Sequence, residues 1–268
     1  MPDTLGVALV TVPGAAYLVG LHRLWSTAGR GRVVRREQAL AYMAGLAAVA
    51  VAVASPLDAA AGAKLSMHMV QHVLLVGVAA PLIAVGAPLP TVLWALPGAW
   101  RRRLLPEWRR AATSHAGPGW ARWTVAGLVL QVGALWVWHA PALYQAALAS
   151  QALHGLEHAS FLVTAVVFWW AVAGARHRSA GGAAVVAVFV GALPATALGA
   201  LMTLAGRPWY PVYAGDPAAA LEDQQVAGVV MWGVGGIATV VAALVLFGAW
   251  LAALERSQPG GDRGLVRT

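Results

Sequence analysis

The chain has 268 residues, 60% of them hydrophobic and only 10% charged, where a soluble domain carries roughly 25% charged residues, so an ordinary soluble fold is excluded and a membrane protein is specified. Cysteine is absent, which removes disulfide-stapled folds, thiolate metal sites and iron–sulfur clusters and leaves His, Met and carboxylate as the only metal ligands available. The net charge of +8 does not indicate a nucleic-acid partner, because Lys and Arg of membrane chains collect in cytoplasmic loops.

A membrane-crossing helix needs about 20 mostly apolar residues. Runs of that kind lie near 5–22, 39–57, 66–88, 124–140, 157–175, 183–204 and 225–252. Met1 to Thr4 carry no positive charge, so the first run is expected to stay in place as a helix and not to be cleaved as a signal peptide. The third run meets Pro81, Pro88 and Pro90 at its inner end and the sixth contains Pro194, where kinks are expected. Gly233, Gly235 and Gly236 fall in the middle of the seventh run with no strand before them, which predicts close helix packing and not a phosphate loop. The expected fold is all-α: a polytopic bundle of seven transmembrane helices forming one domain over 1–252, then a disordered cytoplasmic tail over 253–268.

Seven crossings place alternate loops on opposite sides, and the basic residues separate accordingly. Arg23, Arg30, Arg32, Arg35 and Arg36, then Arg101, Arg102, Arg103, Arg109, Arg110 and Arg122, then Arg176 and Arg178, and finally Arg256, Arg263 and Arg267 share one side; Lys64 and Arg207 complete the 18 on the other. The arginine-rich side is therefore read as cytoplasmic, with the amino terminus outside and the carboxyl terminus inside. Trp94, Trp100, Trp108, Trp120, Trp123, Trp169 and Trp170 near one face, and Trp136, Trp138, Trp209, Tyr210 and Tyr213 near the other, read as aromatic belts against lipid.

Of the eight histidines, His22, His115 and His177 lie in or beside the arginine-rich loops, where a solvated role is expected. His68, His72, His139, His154 and His158 map to the outer ends of the third, fourth and fifth helices. His68 and His72 stand four apart, as do His154 and His158, and both segments read H-x-x-[Q/E]-H; on a helix that spacing stacks two rings on one side. His139 closes the fourth helix just before Pro141, and Glu222-Asp223-Gln224-Gln225 is read as opening the seventh.

Metal binding is the chemistry this pattern favours, since imidazole is the commonest protein ligand and ionisable groups at membrane depth default to a functional role. Met67 and Met69 flank His68, and thioether with imidazole suits Cu(I). Met67 and Met69 sit on different helix faces, so at least one is expected to pack against lipid or protein. Glu157 and Asp223 are candidate ligands, orienting partners of the imidazoles, or a proton-coupled gate; each also reads as an acid near a helix start, where it meets free N–H groups and the helix dipole.

The blocks His68-Met69-Val70-Gln71-His72-Val73-Leu74-Leu75 with Pro81-Leu82, Trp138-His139-Ala140-Pro141-Ala142-Leu143-Tyr144, His154-Gly155-Leu156-Glu157-His158-Ala159-Ser160-Phe161-Leu162 and Asp223-Gln224-Gln225-Val226-Ala227-Gly228-Val229-Val230-Met231-Trp232 together resemble the polytopic CtaG family of cytochrome c oxidase assembly proteins. The resemblance spans about 66 to 232. It implies a non-enzymatic assembly factor in the bacterial plasma membrane that handles copper for the oxidase subunit carrying the catalytic copper, with a periplasmic copper donor as a further partner. A site meant to hand copper on must be open or weak, so the extra histidines are expected to form successive stations.

Three other readings compete. A haem-binding electron carrier would use facing pairs such as His68 or His72 with His139 or His158 as axial ligands. A membrane di-metal oxidase would place its H-x-x-x-H clusters at the cytoplasmic face, opposite to the face inferred here. A transporter would need polar residues continuing inward, where the third and fifth helices below His72 and His158 offer mainly Gly, Ala, Val and Leu, with Ser160 and Thr164 as thin support.

Overall fold

A computed structural model describes residues 4–116, 119–175, 180–213 and 215–257. Arg176, His177, Arg178, Arg263, Arg267 and residues 258–268 of the expected tail lie outside the described residues, as does the side chain of His115. The long apolar segments satisfy their backbone groups within helices, the arrangement a bilayer demands of a spanning chain.

Helix α1 spans Thr4–Ala28 and α2 spans Arg36–Ala54. The Gln38 side chain accepts the free Arg35 N–H at the start of α2, 3.1 Å away. Ser55 ends α2, earlier than residue 57, because its hydroxyl accepts the Leu57 N–H and opens a short helix α3, Pro56–Ala63, with proline in the first turn. Helix α4 runs over Leu65–Val85.

Inside α4 the turn Leu74–Ala79 widens into a π segment, so that the Ala80 N–H reaches Leu75 O. The next donor in that pattern would be Pro81, which has none. The Trp169 indole donates to the Val76 carbonyl instead, at 3.1 Å. Pro81 is thus absorbed without breaking the helix, while Pro88 starts a separate helix α5, Pro88–Ala95, after a left-handed Ala87 at φ 52°.

Next come α6, Gly98–Ala116, which carries the arginine cluster, and α7, Trp120–Trp138, bent by 77° from α8, Pro141–Ala149. The chain continues with α9, Gln151–Ala175, and α10, Gly181–Leu204, which holds Pro194 in its interior. Helix α11, Pro217–Arg256, is 40 residues long and widens at Val230–Val234. Among the described residues six helices are long and apolar enough to cross a membrane, or seven if the bent pair α7 and α8 is one span.

Two corrections follow from α11. It begins at Pro217 behind Asp216, whose side chain accepts the Ala218 N–H. Asp223 therefore lies well inside the helix and does not open it; the apolar run beginning at 225 hid the true start. The glycines Gly233, Gly235 and Gly236 do not make a tight helix contact: a Cβ on Gly236 would meet nothing within 4 Å, and one on Gly235 only the Val73 side chain at 3.8 Å. Close approach occurs one turn earlier. A Cβ on Gly228 would fall 2.4 Å from Gly199 O and 2.3 Å from Thr203 Oγ1, so backbone meets backbone where α11 crosses α10. Gly127 of α7 does the same against the Phe168 backbone of α9, with 2.7 Å to its Cα.

Three apolar cores result. One joins α1, α2 and α4 around the stacked rings of Tyr17 and Tyr42, 3.7 Å apart, with the Tyr17 hydroxyl donating to Gly86 O. A second joins α9, α10 and α11 around Phe168, Val172 and Leu246. The third holds Leu65, Met69, Leu135, Tyr144, Phe161, Met202 and Tyr210 at the end of the bundle that carries Lys64 and Arg207, and it packs around the histidines.

Candidate metal centre

Helix α4 delivers His68 and His72 one turn apart, and α9 delivers His154 and His158 in the same way, because both helices turn their histidine-bearing faces inward. His139 arrives at the bend between α7 and α8, where Pro141 prevents α7 from continuing. The five rings form one connected group. Ring centroids are 4.4 Å apart for His68 and His72, 4.3 Å for His154 and His158, 5.2 Å for His68 and His154, and 5.4 Å for His72 and His139.

Glu157 enters the middle of this group, buried in the second turn of α9 and not at its start. Its Oε1 lies 3.7 Å from His68 Nε2 and 3.5 Å from His72 Nε2, too far for hydrogen bonds. Two donor atoms bound to one ion in tetrahedral geometry, each at about 2.1 Å, would stand about 3.4 Å apart. Two sets have ligand atoms within 4.8 Å of one another: His68, His154 and His158, and His68, His72 and Glu157.

Many of the polar atoms here have no hydrogen-bond partner among the described residues. Both ring nitrogens of His68 and of His72, Nε2 of His154 and His158, and both carboxylate oxygens of Glu157 are buried without a hydrogen bond from any described residue. Leaving one such group unsatisfied costs about 1–3 kcal/mol, so a cluster of them converging on one volume is not a packing accident.

His139 is oriented differently. Its Nδ1 lies 2.7 Å from Leu135 O and must carry the proton of that bond, which leaves the Nε2 lone pair facing Met69 Sδ at 3.4 Å. Of the two methionines Met69 is fully buried beside His139, whereas Met67 is half-buried.

Asp223 is not brought into the cluster. Its carboxylate accepts the Ser66 hydroxyl at 2.5 Å and the Ser66 N–H at 3.2 Å, capping α4 from α11. The next residue, Gln224, accepts the Trp209 N–H at 2.6 Å and fixes the loop before α11.

Several contributors escaped the reading of the sequence. Tyr144 and Tyr210 are buried with rings 4.2 Å apart, and Tyr144 packs on His68 at 5.0 Å. The Tyr210 hydroxyl donates to His139 O at 2.9 Å, and that of Tyr213 donates to Ala61 O at 3.2 Å. Burial raises the pKa of both Tyr210 and Tyr213, the latter to about 12, so both keep the protons these bonds need. Trp138 donates to Ser160 Oγ at 2.8 Å. Trp138 and Tyr210 are therefore internal supports of the site and not members of a lipid-facing belt; their positions at the ends of apolar runs gave no sign of it. Gln71, between the α4 histidines, donates to Ala52 O and Asp58 Oδ1 and ties α4 to α2 and α3.

A multi-pass helix bundle with imidazoles and a carboxylate gathered at one end is the class of protein that fold and site define. The family model described as cytochrome c oxidase caa3 assembly factor, Caa3_CtaG, matches residues 15–253. The chain belongs to that family of cytochrome c oxidase assembly factors. No curated protein and no solved structure matches it.

Proposed function

We propose that the protein binds copper in the His/Glu cluster and passes it to the subunit of cytochrome c oxidase that carries the catalytic copper, without itself being an enzyme. The observation that carries this reading is the convergence of unpartnered buried ligand atoms in two sets that share His68: His68 with His154 and His158, and His68 with His72 and Glu157. Membership of an oxidase assembly family supplies the destination.

The arginine-poor end of the bundle is the outer face of the bacterial plasma membrane, the amino terminus lies outside, and copper arrives from that side. His154 is the half-buried member of the cluster and the others are buried, so His154 is where an incoming ion meets the site. A haem reading fits less well. Axial ligation needs a flat slot between two facing imidazoles, whereas the pairs in question are close ring neighbours, His72 at 5.4 Å from His139 and 5.6 Å from His158 and His68 at 5.7 Å from His158, with Glu157 Oε1 beside the Nε2 atoms of His68 and His72.

The test replaces both His68 and His72 with alanine. We expect the variant to insert in the membrane, to lose bound copper on purification in mild detergent, and to fail to support oxidase maturation. Unchanged copper content with full oxidase activity would remove the site from this function, and a Soret band in the purified wild-type protein would replace copper with haem.

A further inference from the structure

We infer that His139 and Met69 form a second copper station, distinct from the His/Glu cage, from which the ion leaves the protein; this rests on the copper-binding reading above. His139 belongs to neither set of converging ligand atoms. Its Nδ1 proton is committed to Leu135 O, so its Nε2 offers a lone pair, and the atom it faces, Met69 Sδ, also offers only lone pairs. Two acceptors turned toward each other in a buried place gain nothing by themselves. A soft cation shared between them would account for the geometry, since an imidazole at about 2.0 Å and a thioether at about 2.3 Å in tetrahedral arrangement stand about 3.5 Å apart, against the 3.4 Å found.

The order of the rings gives the route. His154 touches His158 and His68, His68 touches His72, and His72 touches His139 at 5.4 Å. The cage contains a carboxylate, a hard ligand, while the His139 station contains a thioether, and Cu(I) prefers the softer donor. Ligand softness therefore grades the path from Glu157 toward Met69. The copper stays Cu(I) throughout: at each step one donor bond forms as another breaks, and no electron moves. A surface groove walled by Trp136, Pro141, Leu201, Arg207 and Trp209 has His139 in its lining, so the ion can leave there without returning past His154.

The experiment loads the full chain in detergent with excess Cu(I) under anaerobic conditions, removes unbound metal and reads the copper ligands by X-ray absorption. We expect nitrogen or oxygen together with a sulfur scatterer. Met69→Leu, which conserves volume, should abolish the sulfur signal and lower the copper per chain while copper with nitrogen or oxygen ligands remains; Met67→Leu should change neither. Wild-type protein labelled with selenomethionine should show a copper–selenium scatterer, a measurement that needs no substitution to fold. Copper bound by nitrogen and oxygen alone, or sulfur that persists in Met69→Leu, overturns the second station and leaves the cage standing. A wild-type chain that takes up no Cu(I) overturns both.

Discussion

Asp223 of α11 holds the first turn of α4 by accepting both the N–H and the hydroxyl of Ser66, at 3.2 and 2.5 Å. A helix start whose donors are satisfied from a neighbouring helix positions everything that follows on it, here His68, Met69 and His72. Asp223→Ala should lower thermal stability in mild detergent by about 1–2 kcal/mol, the usual cost of a lost cap, and leave the copper content of the folded protein unchanged. Copper lost with stability intact would make Asp223 a ligand.

Glu157 is the opposite case. Its carboxylate is buried beside His68 and His72 with no hydrogen bond to any described residue, an arrangement that favours a bound cation and disfavours the metal-free chain. Glu157→Gln keeps the shape, removes the charge and supplies an N–H donor for an imidazole nitrogen. We expect copper affinity to fall by about 10–100-fold and the metal-free protein to gain about 1–3 kcal/mol. Paired copper titrations and thermal unfolding of the metal-free protein check the two signs; a loss of stability together with unchanged affinity would mean that the carboxylate serves packing alone.

The two histidine pairs were legible in the sequence because their geometry is local: four residues along a helix suffice to stack the rings. What depended on neighbours was not. Met67 and Met69 look alike until α7 places His139 against one side of α4. Asp223 looked like the opening of its own helix because hydropathy rises at 225, although Asp216-Pro217, a cap followed by a first-turn proline, marks the true start. The widened turns at Leu74–Ala79 and Val230–Val234 have no sequence signature. Their meaning lies in the cavity of about 120 Å³ beyond His72 that both help to line through Val76, Gly77 and Met231. Of its 19 wall residues only His72, Gln131, Thr196 and Thr239 carry polar side chains apart from the Trp169 indole.

The contact between α10 and α11 tests where close packing falls. A methyl group on Gly228 would meet Gly199 O at 2.4 Å and Thr203 Oγ1 at 2.3 Å, and the backbone carbonyl cannot swing aside. Gly228→Ala should cost about 1–3 kcal/mol through overpacking, whereas Gly236→Ala, with open space around its Cβ, should be neutral or slightly stabilising because alanine is the better helix former. Thermal unfolding of the two variants side by side checks this. Equal effects would mean that α10 and α11 do not cross at Gly228.

The groove beside His139 permits a test of direction. Leu201 is half exposed and shares the groove lining with Trp136, Trp209 and His139, so Leu201→Trp narrows the groove in front of His139 while leaving every candidate ligand in place. If copper leaves past His139, the variant should load with Cu(I) through His154 as the wild type does and should release it severalfold more slowly to a soluble Cu(I) chelator. Stopped-flow absorbance of the chelator complex measures that rate. Slow loading with normal release would reverse the route, making the groove the way in and His154 the way out; unchanged rates in both directions would detach the groove from copper movement altogether.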